Sequence, residues 1–248
     1  MTIKKHIPNL ITSLNLAAGF IAIVFAAEND LITSSWLILA AMAFDFLDGF
    51  SARLLKAYSP MGKELDSLAD VVSFGIAPAM IVYILIESSG SVTDSFSASG
   101  NISGNPEILK YLSVLMPVFA ALRLAKFNID ASQAKSFKGL PTPANALAVI
   151  SVVIAAHHSG AGILESIISS PIILSVYTII LSLMMVSRIP LISLKMSNLR
   201  LRGNEGQYIL FILIIISLFI WRLAATPLII PFYIIASLIS SHFPKTGK

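Results

Sequence analysis

Four aspartates, Asp45, Asp48, Asp66 and Asp70, fall within 26 residues of a chain that is otherwise mostly hydrocarbon. A charged side chain at the centre of a membrane helix costs roughly 2.5–3.5 kcal/mol on insertion scales, so such a cluster requires a cation or a proton. We read it as a metal site. Asp45 and Asp48 stand three residues apart and Asp66 and Asp70 four apart, so each pair projects from one helix face. The chain has no cysteine, which leaves oxygen or histidine to hold any metal. Gly49 follows Asp48 directly, and Gly62, Asp66 and Asp70 share one stripe in a four-residue rhythm. Bare backbone beside carboxylates lets something bulky approach. Arg53, close to the same face, offers a planar fork to a phosphate. Carboxylates, a metal and an arginine are together what phosphoryl chemistry requires.

The elements that must position these groups are membrane helices. The 248 residues are 56% hydrophobic and 12% charged, with a mean hydropathy of +0.85. This composition excludes a soluble globule and predicts an all-α, polytopic transmembrane helical bundle forming a single integral membrane domain over 1–248. A hydrocarbon core of about 30 Å takes about 20 helical residues to cross, and eight apolar runs approach that length. They lie near 9–27, 31–57, 60–88, 107–127, 143–158, 170–189, 206–223 and 225–241; the fifth is the shortest. The last two are almost contiguous, so Thr226 and Pro227 must form a tight re-entry. With both termini cytoplasmic, all but Lys110 and Arg222 of the 17 basic residues fall on the cytoplasmic side, as the positive-inside rule demands of an even count. On the outer side this places Glu28, Asp30 and a Ser/Gly-rich loop from Ser88 to Asn105, with Trp36 and Trp221 near the interface. The hairpin Lys56-Ala57-Tyr58-Ser59-Pro60 carries a capping serine and a proline at the first helical position, which marks the start of the third span. Lys4 and Lys5 before an apolar run imitate a secretory leader, but Asn9, Thr12 and Asn15 recur at near-helical spacing on one side of that run. They are either helix-packing groups or the wall of a polar site.

Taken in order, the residues spell Asp45-x2-Asp48-Gly49-x2-Ala52-Arg53-x8-Gly62-x3-Asp66-x3-Asp70. This resembles the signature of the CDP-alcohol phosphotransferases, integral membrane enzymes of phospholipid synthesis, at every fixed position and spacing. The resemblance implies a six-helix catalytic core, here 1–189, around a cytosol-facing polar cavity, with two additional C-terminal helices over 206–241 and assembly as a homodimer in the cytoplasmic membrane. It implies two divalent cations, Mg2+ or Mn2+, held by Asp45, Asp48 and Asp66, with Asp70 completing the second metal or acting as the base; the roles of Asp66 and Asp70 are exchangeable at this level. It places the cytidine nucleotide against Gly49, Ala52, Arg53 and Gly62, with Asn9, Thr12 and Asn15 as a wall of the same pocket. The reaction it implies is attack by an alcohol on the lipid-linked phosphorus of a CDP-activated lipid, displacing CMP. The acceptor hydroxyl needs a base within reach, for which Asp70 is the choice.

The acceptor is read from Arg123-Leu-Ala-Lys126-Phe-Asn128 and Phe137-Lys138-Gly139-Leu140-Pro141-Thr142-Pro143-Ala144. On residue chemistry alone this is a basic loop stiffened by two prolines. It is similar to the segment that sets membrane-type phosphatidylserine synthases apart from their relatives, and the similarity continues through Ser187-Arg188-Ile-Pro190 and Ser193-Leu-Lys195. Serine fits it: Arg123, Lys126 and Lys138 are cations for a carboxylate, and Asn128 is an acceptor for an ammonium. The expected partners are therefore CDP-diacylglycerol, serine and membrane lipid, with no nucleic acid. Glycerol 3-phosphate and inositol phosphate are the rival acceptors, and each would favour a denser basic pocket. A cation channel or transporter is the rival from another class, and it predicts carboxylates near mid-membrane. His157 and His158 are expected at the outer interface, Met184 and Met185 in apolar packing, and Arg188 or Arg202 as alternative holders of the lipid phosphate.

Overall fold

The structure, a computed structural model, describes residues 6–93, 106–129, 137–159, 162, 164, 168–192 and 205–242. Helix α1 (His6–Ala27) and helix α2 (Leu31–Leu54) form a hairpin. Asp30 caps the second helix by accepting from the Thr33 N–H at 3.0 Å, and hydrogen bonding from the Thr33 side chain, with that from its backbone, holds the Asp30 carboxyl below the ordinary value. The two helices approach closely because their facing residues are small: Ala18, Ala22 and Ala26 on one, Ser34 and Ala41 on the other. The Ser34 hydroxyl donates across the interface to the Ala22 carbonyl at 2.8 Å.

Helix α3 (Pro60–Asp70) begins as the sequence predicts, with the Ser59 hydroxyl accepting from the Gly62 N–H at 2.9 Å and Pro60 at the first helical position. It runs without a break through one π-helical stretch, Val71–Ile76, into helix α4 (Ala77–Thr93). The wide turn sits where two neighbours press on it. A Cβ on Gly19 would meet the Ser73 Oγ at 2.2 Å, and one on Gly75 would meet Pro117 and Ala120 at 3.2 Å. A short helix α5 (Pro106–Leu109) and a 3-10 turn lead into helix α6 (Leu115–Ile129).

Helix α7 (Thr142–Ser159) corresponds to the short fifth run. It lies at the centre of the bundle and is buried on all sides over most of its length, from Asn145 through Ala155. Helix α8 (Pro171–Val186) packs beside it, and the Tyr177 hydroxyl donates to the Ala148 carbonyl at 2.9 Å. Helix α9 (Glu205–Trp221) and helix α10 (Ile229–His242) are joined by a 3-10 segment, Arg222–Leu228. Arg222 takes a φ of +51° there, and Gly206 at one end faces Ser240 at the other. The tight re-entry predicted near Thr226 is therefore a hairpin, pinned by the Thr226 hydroxyl to the Ser151 carbonyl at 2.9 Å.

Among the described residues, five segments are long and apolar enough to cross a membrane: His6–Ala27, Leu31–Leu54, Pro60–Ser89, Glu107–Ile129 and Gly206–Ser240, the last folded back on itself. Thr142–His158 and Pro171–Val186 are apolar but shorter. Large apolar side chains such as Phe20, Phe46, Leu54, Leu122 and Phe219 face outward, as a lipid-facing surface requires. This is an integral membrane protein. An antiparallel pair not expected from the sequence ties strand β1 (Phe137–Lys138) to strand β2 (Pro190–Leu191), in register Phe137 to Leu191. Residues 94–105 of the expected Ser/Gly-rich loop, the basic residues Lys195, Arg200 and Arg202, and the side chain of Lys138 lie outside what is described.

Candidate active site

Near one end of the bundle, α2 descends and α3 ascends on either side of the Lys56 turn, where φ is +51°. Asp48 lies six residues before the end of α2, and Asp66 six residues after the start of α3. The antiparallel hairpin therefore brings them to one level. Asp45, Asp48 and Asp66 each offer a carboxylate oxygen within 4.8 Å of the others, a group that could hold a metal ion. Asp48 Oδ2 and Asp66 Oδ1 are buried without a hydrogen-bond partner among the described residues. Buried acceptors carrying like charge fit a bound cation, which would neutralise them and take up their lone pairs. Asp70 lies one turn beyond Asp66 and outside this trio, with its Oδ1 equally unpartnered. It feels the charges of the other three aspartates and, in the opposite sense, that of Arg123.

Beside the trio is a cavity of about 340 Å3 lined by Asn9, Thr12, Asp48, Gly49, Ala52, Arg53, Gly62 and Asp66, together with Pro8, the 57–59 hairpin and Lys63. It gathers the residues expected around a nucleotide with the exception of Asn15. Its two glycines differ in kind. A Cβ on Gly62 would strike Asn9 Oδ1 at 2.9 Å and Ser59 Oγ at 3.0 Å, whereas one on Gly49 would come no closer than 4.0 Å to the Arg53 Nη1. The first glycine is needed by packing; the second leaves open space. A more open groove of about 490 Å3 between α1 and α3, lined by Ile7, Leu10, Met61 and Leu65, shares Asn9 with the cavity.

Sequence reasoning missed Lys63. The signal was present, since Lys63 stands four residues after Ser59 and three before Asp66 on the same helix. Its Nζ donates to the Asn128 carbonyl at 3.2 Å, and the Asn128 Nδ2 donates to the Ser67 hydroxyl at 2.9 Å, so α3 is laced to the end of α6. Asn128, expected as an acceptor for an ammonium, thus has its backbone oxygen and its amide donor engaged. Lys126 is exposed on the last turn of α6. Arg123 is half-buried one turn before Lys126, with its Nε unpartnered among the described residues. His157 and His158, with ring centroids 5.0 Å apart, are exposed and lie near Asp30 at the far end of the bundle from the aspartates.

A bundle with paired aspartates and a glycine- and arginine-lined cavity at one end is the frame of a family, and the family model for CDP-alcohol phosphatidyltransferase matches residues 5–187. The chain belongs to that family. Among similar proteins is the CDP-diacylglycerol--serine O-phosphatidyltransferase of Helicobacter pylori, 32% identical over 94% of this chain and 89% of its own. The enzyme of the same name from Bacillus subtilis is 33% identical over 75% of this chain and 89% of its own. The archaetidylserine synthase of Methanothermobacter thermautotrophicus is 33% identical over 62% and 60%.

Proposed function

We propose that this protein transfers the phosphatidyl group of CDP-diacylglycerol to the hydroxyl of L-serine, giving phosphatidylserine and CMP. The observation that carries the reaction type is the cavity that puts Gly49, Arg53 and Lys63 beside Asp48 and Asp66. The acceptor is supported by relatives whose names specify serine over most of both chains.

The nucleotide enters along Gly49, where a bare backbone leaves room, and its phosphates meet the guanidinium of Arg53. Thr12 and Asn9 close the cavity on the α1 side, and the adjoining apolar groove accepts the lipid's chains. Two divalent cations, Mg2+ or Mn2+, suit the all-oxygen donor set of Asp45, Asp48, Asp66 and Asp70, and would supply charge neutralisation at the pyrophosphate. Arg123, Lys126 and Lys138 offer positive charge to the serine carboxylate. The serine hydroxyl oxygen forms a bond to the phosphorus that bears diacylglycerol, and its proton passes to Asp70. The bond from that phosphorus to the CMP oxygen breaks, and CMP leaves with the electron pair. Residues 1–189 are the catalytic core and 206–241 an added pair of helices; the enzyme works as a homodimer in the cytoplasmic membrane with this cavity facing the cytoplasm.

Transport is disfavoured because the trio sits toward one end of α2 and α3, with no second cluster of three or more ligating side chains among the described residues. The test is incubation of the purified protein in vesicles with CDP-diacylglycerol, isotopically labelled serine and Mg2+ or Mn2+, followed by mass spectrometry of the lipids. Labelled phosphatidylserine in one-to-one yield with CMP is expected; CMP without a serine-labelled lipid would refute the assignment.

A further inference from the structure

One turn deeper than the aspartate trio, polar side chains crowd around the π-helical stretch that follows Asp70. Asn15 of α1 is fully buried, and neither its Oδ1 nor its Nδ2 has a partner among the described residues. Asn145 of α7 is also fully buried; its Nδ2 reaches the Phe74 carbonyl at 3.4 Å, but its Oδ1 meets nothing. Thr142, on the same face one turn earlier, is 1% exposed with its hydroxyl unpartnered. Arg123 of α6 interacts with the charge of Asp70, and its Nε is unpartnered among the described residues. The π-turn is the common neighbour: its Ser73 hydroxyl donates to the Asn15 carbonyl at 3.0 Å, and its Phe74 carbonyl receives Asn145.

Orphaned polar atoms are rare in a protein interior, and π-turns recur at functional sites. Here the orphans are complementary to one kind of molecule. Oxygens of Asn15, Asn145 and Thr142 are neutral acceptors suited to an ammonium, and the Arg123 N–H is a donor suited to a carboxylate. We infer that Asn15, Thr142, Asn145 and Arg123 form the acceptor subsite, selecting a free α-amino acid by its ammonium and carboxylate and presenting its hydroxyl toward Asp70. The inference rests on the proposed serine transfer and adds three residues to the acceptor side. It also extends recognition of the ammonium from Asn128, whose Nδ2 donates to Ser67, to the buried layer.

The experiment compares the wild-type enzyme with Asn145→Ala and Thr142→Val, measuring kcat and KM for serine, KM for CDP-diacylglycerol, Tm, and competition by 3-hydroxypropanoate, which is serine without its amino group. The expected result is a serine KM raised about tenfold or more, as for a site that loses a hydrogen-bond partner to its substrate. KM for CDP-diacylglycerol and Tm stay near wild-type values, and discrimination against 3-hydroxypropanoate narrows. An unchanged serine KM, or equal rises in KM for both substrates with a fall in Tm, would overturn the subsite and leave these residues as packing groups. Wild-type protein that releases CMP with glycerol 3-phosphate and not with serine would instead refute the proposed function, so the two failures are distinguishable.

Discussion

Gly49 and Arg53 stand one turn apart on α2, and a Cβ placed on Gly49 would still lie 4.0 Å from the Arg53 Nη1. The glycine is therefore not demanded by packing within the protein, and the space above it belongs to a ligand. Gly49→Ala is expected to leave Tm unchanged and to raise KM for CDP-diacylglycerol. Gly62→Ala drives a methyl into Asn9 Oδ1 and Ser59 Oγ, so it should lower Tm as well as activity. Thermal unfolding of the two variants side by side checks the contrast.

Asp45, Asp48 and Asp66 bring three carboxylates together with no Lys or Arg ion-paired to them among the described residues. Without metal they repel one another. Each single change to Asn should therefore raise Tm in the presence of a chelator, abolish the further stabilisation that Mn2+ gives the wild type, and lower turnover on the order of 10²–10³-fold. Melting curves with and without Mn2+ read both effects; a variant still stabilised by Mn2+ as the wild type is would count against the trio as the metal site.

Asp70 lies beyond the trio, beside Arg123. As the base for the acceptor hydroxyl, Asp70→Asn should lose about 10²–10⁴ in kcat while KM for CDP-diacylglycerol changes little. A KM rise without a kcat loss would instead give Asp70 a binding role.

Much of the site was legible because membrane helices leave few places for charge. The spacing of the four aspartates and the Ser59-Pro60 start of α3 follow from helix periodicity and capping, which are local properties, whereas the grouping of Asn9 and Thr12 with Gly49, Arg53 and Gly62 was implied by the family resemblance. What was not legible depends on neighbours distant in the chain. The π-turn at Val71–Ile76 sits where Gly19 of α1 and Pro117 press on Ser73 and Gly75. The two-residue ladder between Phe137 and Leu191 joins segments more than fifty residues apart. Asn15 shares a helix face with Thr12, yet one turn of depth separates the cavity wall from the buried layer. Lys63 was passed over because a lysine beside a helix start reads as a solvated charge, although its spacing to Asp66 placed it near the site, and its bond to Asn128 and its place in the cavity wall are tertiary.

That bond yields a further expectation. Lys63→Met removes a cation from the cavity and the tie from α3 to α6, so KM should rise for CDP-diacylglycerol and for serine together, whereas Arg53→Lys, which loses only the planar fork, should affect the CDP-lipid alone. Two-substrate kinetics separate the cases.

Gly139 holds the acceptor segment against the end of α8. Its φ is +78°, and a Cβ there would lie 2.5 Å from the Met185 carbonyl oxygen. Gly139→Ala should destabilise the protein by more than about 1 kcal/mol, through backbone strain added to a clash, with a lower Tm as the readout.

The central claim is tested most directly by CMP release from CDP-diacylglycerol, measured with serine, glycerol 3-phosphate or inositol phosphate as the acceptor, with Mg2+ or Mn2+ present and again after chelation. The account predicts release that needs both serine and metal and that vanishes in Asp48→Asn. Release supported equally well by another acceptor, or persisting after the metal is removed, would contradict it.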